Sequence, residues 1–570
     1  MKGLRVGIAA GTIGLLLVAA GLAMVYLFLL PRTAPSGSCP IRLLDATRDT
    51  GITFVHTDGS SGQKYIVETV TAGLALFDYD GDGNEDIYFL NGAPLRGTPA
   101  GQPAANALYR NDGGWRFTDV TEAAGVGDLG YGLGVTAADC DNDGFLDLYV
   151  SNYGPNVLYH NNGDGTFSDV KASAGVGRGH KVGAGVSFLD IDRDGDLDLY
   201  VSNYVKFTYD NHVVIWEKGF PTYAGPRAYE PEPDVLFCNN GDGTFTDVSL
   251  AGGIGQHAGT GMGIVSADFD NDGDTDVFVL NDVAAHFLFV NDGGGHFEEA
   301  GLRAGVAYNG AGDATGSMGV DCGDYDNDGW LDFYVTSYQN QLPILYRNLG
   351  NGTFEDVTQA SGAGAGLYPY VNWGVCFADF DNDGHLDLFV ANGHLQDNID
   401  LYDDTTAYEV ANAVFWNTGD GKFLNVSAQC GDGLAPKRSS RGAAVADLDN
   451  DGRLDVVVLN SRREPTVIRN ATAARHHWLA VRLIGRESNR DGVGAHVLVT
   501  CGGQRQLAEV HSGRGYQSHW GVRLHFGLGS RERVERLEVR WPSGRVEVRE
   551  DVPADRIVTM TEGETHAPTK

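Results

Sequence analysis

One nine-residue pattern, D-x-D-x-D-G-x-x-D, recurs seven times and sets the terms on which this chain can fold. The first two copies place carboxylates at Asp78, Asp80, Asp82 and Asp86, and at Asp139, Asp141, Asp143 and Asp147. The third and fourth use Asp190, Asp192, Asp194 and Asp198, then Asp268, Asp270, Asp272 and Asp276. The fifth has Asp324, Asp326, Asp328 and Asp332, and the sixth Asp379, Asp381, Asp383 and Asp387. The seventh closes the series with Asp447, Asp449, Asp451 and Asp455. Consecutive copies start 51 to 78 residues apart. Repetition at that period signals a propeller, solenoid or array.

The neighbours of each copy repeat too. A small-residue apolar run such as GLGVTAA precedes it, and a strand such as LDLYVSN follows. Six units continue with a segment such as LYHNNGDGTFSDV (Leu158–Val170), two short strands around an Asn/Gly/Asp turn. Each unit therefore reads as four strands, A to D, with the aspartates between A and B. Helical periodicity is nearly absent. Four strands per unit and seven units predict an all-β seven-bladed β-propeller, with an open stack of repeats as the rival. The last unit lacks its own strand D. LLDATRDTGITFVH (Leu43–His56) has that shape and is expected to complete it.

Carboxylates at positions 1, 3, 5 and 9 of the pattern can converge on one hard cation. The glycine at position 6 permits the sharp turn, and the carbonyl at position 7 adds an oxygen. An all-oxygen, flexible set suits Ca²⁺ better than Mg²⁺ or a transition metal. This is not an EF-hand: Val150 stands where position 12 would need glutamate, and a strand follows. The 28 aspartates are therefore candidate ligands for up to seven structural Ca²⁺ ions. Seven such ions would carry 14 positive charges and take the net charge from −35 to −21.

These units resemble the FG-GAP/VCBS repeats of integrin-α-type propellers over residues 43–470, with Gly81 and Arg193 as small departures at position 4. The resemblance implies calcium in the loop between strands A and B, and ligand binding on the opposite rim. Strand parity leads to the same rim, because B strands end there on polar residues such as Asn91, Asn203 and Asn460. The long insertions Lys206–Asp234 and Leu395–Ala411 fall there, as does LYPYVNW (Leu367–Trp373). A protein or glycan ligand is expected on this aromatic-rich rim. The alternative is a scaffold for an extracytoplasmic enzyme acting on polysaccharide or a secondary metabolite, with His180, His257 and His394 and nearby carboxylates as acid and base. No GxSxG, HExxH or P-loop occurs, and no residue is assigned a catalytic role.

The balance of 76 Asp+Glu against 41 Lys+Arg argues against nucleic acid as a partner. Seven cysteines are scattered singly without a CxxC, which disfavours a disulfide framework or a zinc cluster. Cys140 and Cys376 are expected to be buried thiols. Val6–Leu30 runs 25 residues without a charge. As a helix it is about 37 Å long, enough to span a bilayer. Lys2 and Arg5 precede it, so residues 1–32 read as a cytoplasmic stub and an uncleaved signal anchor, with the body extracytoplasmic. A cleaved signal peptide and secretion form the lesser alternative.

The propeller is expected over residues 33–470 and a second domain over 471–570. Arg475–Lys570 carries 15 Lys+Arg and 12 Asp+Glu and alternates in the manner of strands, which predicts a small antiparallel β-sandwich. SNRDGVGAHVLV (Ser488–Val499), GRGYQSH (Gly513–His519), HFGLG (His525–Gly529) and VRWPSG (Val539–Gly544) resemble the ASPIC/UnbV domain. That domain follows FG-GAP/VCBS repeats in the cartilage acidic protein 1 (CRTAC1-like) family. No cysteine-dense EGF-like segment is present, so the chain resembles the shorter, bacterial-type architecture. The expected function is a membrane-anchored, calcium-binding adhesion or recognition module.

Overall fold

The computed structural model describes residues 39–71, 73–99, 104–177, 179–473 and 475–564. The expected anchor, Val6–Leu30, lies outside these residues. Among the described residues no helix is long and apolar enough to cross a membrane.

The protein is all-β and rich in four-stranded antiparallel sheets, consistent with a propeller. Each aspartate repeat builds one sheet in the order A-B-C-D. In the first repeat these strands are Leu74–Phe77, Asp86–Phe89, Ala107–Asn111 and Phe117–Asp119. The seventh repeat supplies Ser440–Ala446, Asp455–Asn460 and Thr466–Asn470. Its fourth strand is Leu43–Asp45, paired Leu43 to Asn470 and Asp45 to Ile468. Every A strand packs against the A strand of the next repeat, and Ser440–Ala446 packs back on Leu74–Phe77. One helical turn follows strand D in several repeats, for example Thr121–Ala124, which stops at Gly125 in the left-handed region.

Two rings of hydrogen bonds join neighbouring sheets. The asparagine ending each C strand sends its Nδ2 to a carbonyl in the preceding repeat's aspartate loop. Asn161 reaches Tyr79 O (2.9 Å), Asn239 reaches Cys140 O (2.8 Å), and Asn348 reaches Phe269 O (2.8 Å). Asn111 reaches back to Leu448 O (2.8 Å), which joins the first repeat to the last. The second ring starts from position 4 of the motif. Asn142, Asn327 and Asn382 donate to Gly195 O, Gly384 O and Gly452 O of the following repeats. Position 4 sits at positive φ in all seven copies, from 55° at Asn450 to 74° at Gly81. Asn and Gly tolerate that conformation, which accounts for their recurrence there. Arg193 adopts it at 60° and is held by an ion pair to Asp274 of the next loop.

The C-terminal strands form two sheets. His477–Ile484 lies between Leu524–Gly529 and Arg556–Thr561, and His496–Cys501 pairs with Gln504–Glu509 and Arg533–Arg540, beyond which lies Val546–Pro553. One expectation is corrected here. The domain is not wholly antiparallel, because His477–Ile484 and Arg556–Thr561 run parallel from Leu479–Arg556 to Ile484–Thr561. The first and last strands of the domain enter the sheet side by side in the same direction, which alternation of side chains does not encode.

The segment 510–521, between two of these strands, runs into the ring of A strands. Leu76 N donates to His519 O (2.9 Å), and His519 N to Leu74 O (3.0 Å). Val135 N donates to Gln517 O (3.2 Å), and Val320 and Gly515 exchange both backbone bonds (3.1 and 2.7 Å). Ser512 Oγ donates to Ala137 O (2.9 Å), Ser187 Oγ to Ser512 O, and His511 Nδ1 lies 2.9 Å from Ser266 O. Strands from the first five repeats thus share one plug. Tyr516 stacks edge-on against Trp373 of the sixth, with ring centroids 5.0 Å apart. The Arg514 guanidinium bonds Asp321 at 2.6 Å, and both side chains are buried.

Candidate metal centres

Strand A delivers the first aspartate of each motif, and the loop then wraps it with backbone donors. The carboxylate at position 1 accepts the N–H groups of positions 5 and 6, as Asp139 does from Asp143 (3.0 Å) and Gly144 (2.7 Å). Position 5 accepts the N–H of position 7, as Asp143 does from Phe145 at 2.9 Å. Position 9 opens strand B and is buried in every copy. In six copies its two oxygens accept N–H bonds from position 2 and from the C-strand asparagine, whereas Asp276 accepts only from Asn291 N (2.8 Å). Asp86, for example, takes Tyr79 N (3.1 Å) and Asn111 N (2.7 Å). This aspartate locks the loop to strand C, a duty that the sequence reading missed.

Three of the four carboxylates draw together in several loops. Single oxygens of Asp78, Asp80 and Asp82 lie within 4.8 Å of one another, as do those of Asp190, Asp192 and Asp194. Positions 1, 3 and 9 converge in the same way at Asp139, Asp141 and Asp147 and at Asp268, Asp270 and Asp276. Burial, then the neighbouring carboxylates, raises their proton affinity. Asp86 is pushed up to about 9, Asp198 to about 8 and Asp324 to about 7. Among the motif aspartates, Asp190, Asp276, Asp326, Asp381 and Asp449 each keep one buried oxygen without a hydrogen-bond partner. Clustered anions with spare lone pairs and only oxygen donors fit a hard metal ion. A bound cation would offset the mutual repulsion and bridge strands A and B.

The C-terminal domain covers these loops. Asp491 accepts the N–H of Asp139 (2.7 Å), and Glu509 that of Asp268 (3.1 Å). Arg523 bonds Asn450 (2.9 Å), Gln504 bonds Gly384 O (2.7 Å), and His525 lies 2.7 Å from Asn382 Oδ1. A cleft lined by Asp324, Asp379, Asp447, Glu509, Arg514 and Arg523 remains between the two parts.

On the other rim the two long insertions meet. The hairpin Val214–Glu217 with Phe220–Tyr223 is held by Gln396, which bonds Tyr223 N (2.9 Å) and O (3.0 Å), and by Asn398, which bonds Pro221 O (2.8 Å). Beneath it Tyr223 Oη donates to Glu68 (2.9 Å), and Arg462 pairs with Asp58 and with Asp397 (3.0 Å). From Leu367–Trp373 only part faces outward: Tyr368 is exposed, while Trp373 is buried under the Arg441 guanidinium at 4.0 Å.

The three histidines weighed for catalysis sit in separate loops. His180 is exposed, and His257 packs edge-on against Phe287 and Phe289. His394 is buried between Gln339 (3.2 Å) and Gln396 N (2.9 Å), where burial lowers it to about 4. Cys140 and Cys376 are buried free thiols, and Cys140 donates to Asp147 at 2.9 Å.

Comparison with known proteins follows the same division. The FG-GAP-like repeat family matches residues 78–150, 139–201, 225–279, 268–335, 324–390 and 402–458, together more than half the chain. The ASPIC and UnbV family matches residues 485–567. Human cartilage acidic protein 1 is 27% identical over 73% of this chain and 61% of its own length. The Xenopus tropicalis protein of that name is 26% identical over 83% of this chain and 61% of its own. The chain thus spans about three fifths of these relatives' length. Among solved structures, Bacillus licheniformis rhamnogalacturonan lyase PL11 aligns over 70% of this chain and 71% of its own, at 16% identity and a TM-score of 0.36. The acidic clusters are consistent with FG-GAP calcium sites. The repeats and the terminal domain mean that the protein belongs to the FG-GAP-like repeat family and carries a C-terminal ASPIC and UnbV domain, in an arrangement similar along most of the chain to cartilage acidic protein 1.

Proposed function

We propose that the protein is a seven-bladed β-propeller that binds calcium in its aspartate loops and recognises a protein or glycan through the opposite rim. Val6–Leu30 anchors it in a membrane with the body outside the cytoplasm. The observation that carries this reading is the unequal treatment of the two rims. The aspartate rim is covered by the C-terminal domain, whereas the other presents a hairpin with apolar side chains in water. Trp216 is 66% exposed, Ile215 39% and nearby Leu401 60%. Exposed aromatic and aliphatic groups grouped on a rigid support characterise recognition surfaces. The half-buried ion pairs beneath the hairpin support it.

The test is binding of the full-length protein to glycan arrays and to immobilised surface proteins. Trp216→Asp and Leu401→Asp are expected to abolish any specific signal while the melting temperature stays unchanged. Retention of the ligand by both variants would sink the assignment to this rim. Calcium is tested separately by calorimetry with and without chelator. Each site filled at a hundredfold excess over its Kd adds about 2.7 kcal/mol to stability. An unchanged melt after chelation removes calcium from the proposal.

A further inference from the structure

We propose that the residue just before the C-strand asparagine decides which aspartate loops take up a divalent cation, so that the third, fourth and sixth loops bind it tightly and the second, fifth and seventh do not. The inference rests on the calcium reading and adds a ranking to it. The preceding residue points to the opposite face of strand C from the asparagine, by the two-residue period of a strand. That face borders the aspartate loop of the same repeat.

In the fifth repeat this residue is Arg347. Its Nε lies 2.8 Å from Asp326 and its Nη2 3.0 Å from Asp328, at positions 3 and 5 of the motif. In the seventh it is Arg469, 3.4 Å from Asp449. In the second it is His160, whose Nδ1 lies 3.2 Å from Asp141 and 3.2 Å from Asp147. A basic side chain thus stands at the carboxylates a divalent ion would bridge. The third, fourth and sixth repeats carry Cys238, Val290 and Trp416 there, none of which brings a cation.

A second observation, burial, separates these three loops from the fifth and seventh, although a bare carboxylate oxygen occurs in all five. Asp190, Asp276 and Asp381 are each at most 7% exposed, yet each keeps one carboxylate oxygen without a hydrogen-bond partner. Asp326 and Asp449 also keep one bare oxygen, but the second oxygen of Asp326 is held by Arg347 and that of Asp449 by the Trp115 indole N–H (2.7 Å) beside Arg469, and their side chains are 15% and 14% exposed. A buried anion with a bare oxygen and no counter-charge is costly unless a cation joins it. The first loop is intermediate: Arg110 turns away to Asp112 at 2.7 Å, and its first aspartate, Asp78, is less buried than its counterparts in the other six loops.

The test is a Ca²⁺ titration of the full chain, read by native mass spectrometry and calorimetry. Three ions are expected to bind at least tenfold more tightly than any others. Arg347→Gln should raise the tight count to four, and Val290→Arg should lower it to two. Seven equivalent ions, or an unchanged count in Arg347→Gln, would overturn the ranking. Should Val290→Arg fail to fold, Arg347→Gln decides alone. No bound calcium in any form would instead remove the reading on which the ranking stands.

Discussion

The two rims of the ring differ in what their charges face. On the aspartate side, buried carboxylates are met by backbone N–H groups, by arginines and by the C-terminal domain. On the other side, half-buried ion pairs such as Arg462–Asp397 lie beneath a hairpin whose apolar side chains remain in water. The first rim is organised to be closed and the second to stay open. A single ring can thus divide stability and recognition between its faces. Changes on the aspartate side and in the plug should be felt in the melt, and changes on the hairpin in binding.

The strongest way to break this contrast is to loosen the plug. Arg514→Ala would strand Asp321, which is 0% exposed, without its guanidinium. Removing one partner of a buried pair costs about 3–5 kcal/mol, which denaturant titration would resolve. A loss below 1 kcal/mol would mean that the C-terminal domain merely rests on the ring.

Acid offers a graded version. Burial, aided by Arg514, lowers His519 to about 3, so it stays neutral in the native state. The unfolded chain gains that proton near pH 6.5 and the native state does not. Stability is therefore full above about pH 6.5 and declines as pH falls toward about 3. At pH 5 the loss from this residue alone is about 2 kcal/mol. His519→Gln should flatten that segment of the stability–pH curve, and an unaltered slope would rule His519 out as its source.

Smaller effects sharpen the picture. Asn161→Ala deletes one link between neighbouring sheets and leaves Tyr79 O unpaired. The expected cost is about 1–3 kcal/mol. Its neighbour Asn162, which bonds only within its own exposed turn, should cost less than about 0.5 kcal/mol when changed to alanine. Equal losses at both positions would deny the asparagine its part in the ring. At the bottom of the scale, Trp216→Ala should change stability by no more than about 0.5 kcal/mol. A larger drop in the melt would mean that the hairpin supports the fold and is no docking element.

Most of the repeat was legible because its determinants lie close together in the chain. Asp78 to Asp86 form their loop within nine residues, and the turn at Gly163 follows its own strand. The acidic clusters at Asp78, Asp80 and Asp82 and at Asp190, Asp192 and Asp194 follow for the same reason: positions 1, 3 and 5 belong to one short loop. The duties of Asn161 and Asp86 were less visible. An asparagine beside a turn has a sufficient local explanation, and a fourth aspartate passes for a fourth ligand. Arg347 and His160 gave no signal at all, since their meaning depends on which loop strand C borders.

Local sequence thus specified the strands, the number of repeats and the chemistry of each aspartate loop, because these follow from side-chain alternation, turn residues and like charges a few ångströms apart. It did not specify that GRGYQSH would enter the ring. Gly513 hinted at tight quarters, since a Cβ there would meet Val186 O at 1.9 Å, but Val186 lies more than three hundred residues earlier. The inward-facing carbonyls and hydroxyls of the A strands acquire their partners only once the ring exists around them. Which rim is covered and which is free therefore emerged from packing between distant segments, and no pattern within either segment records it.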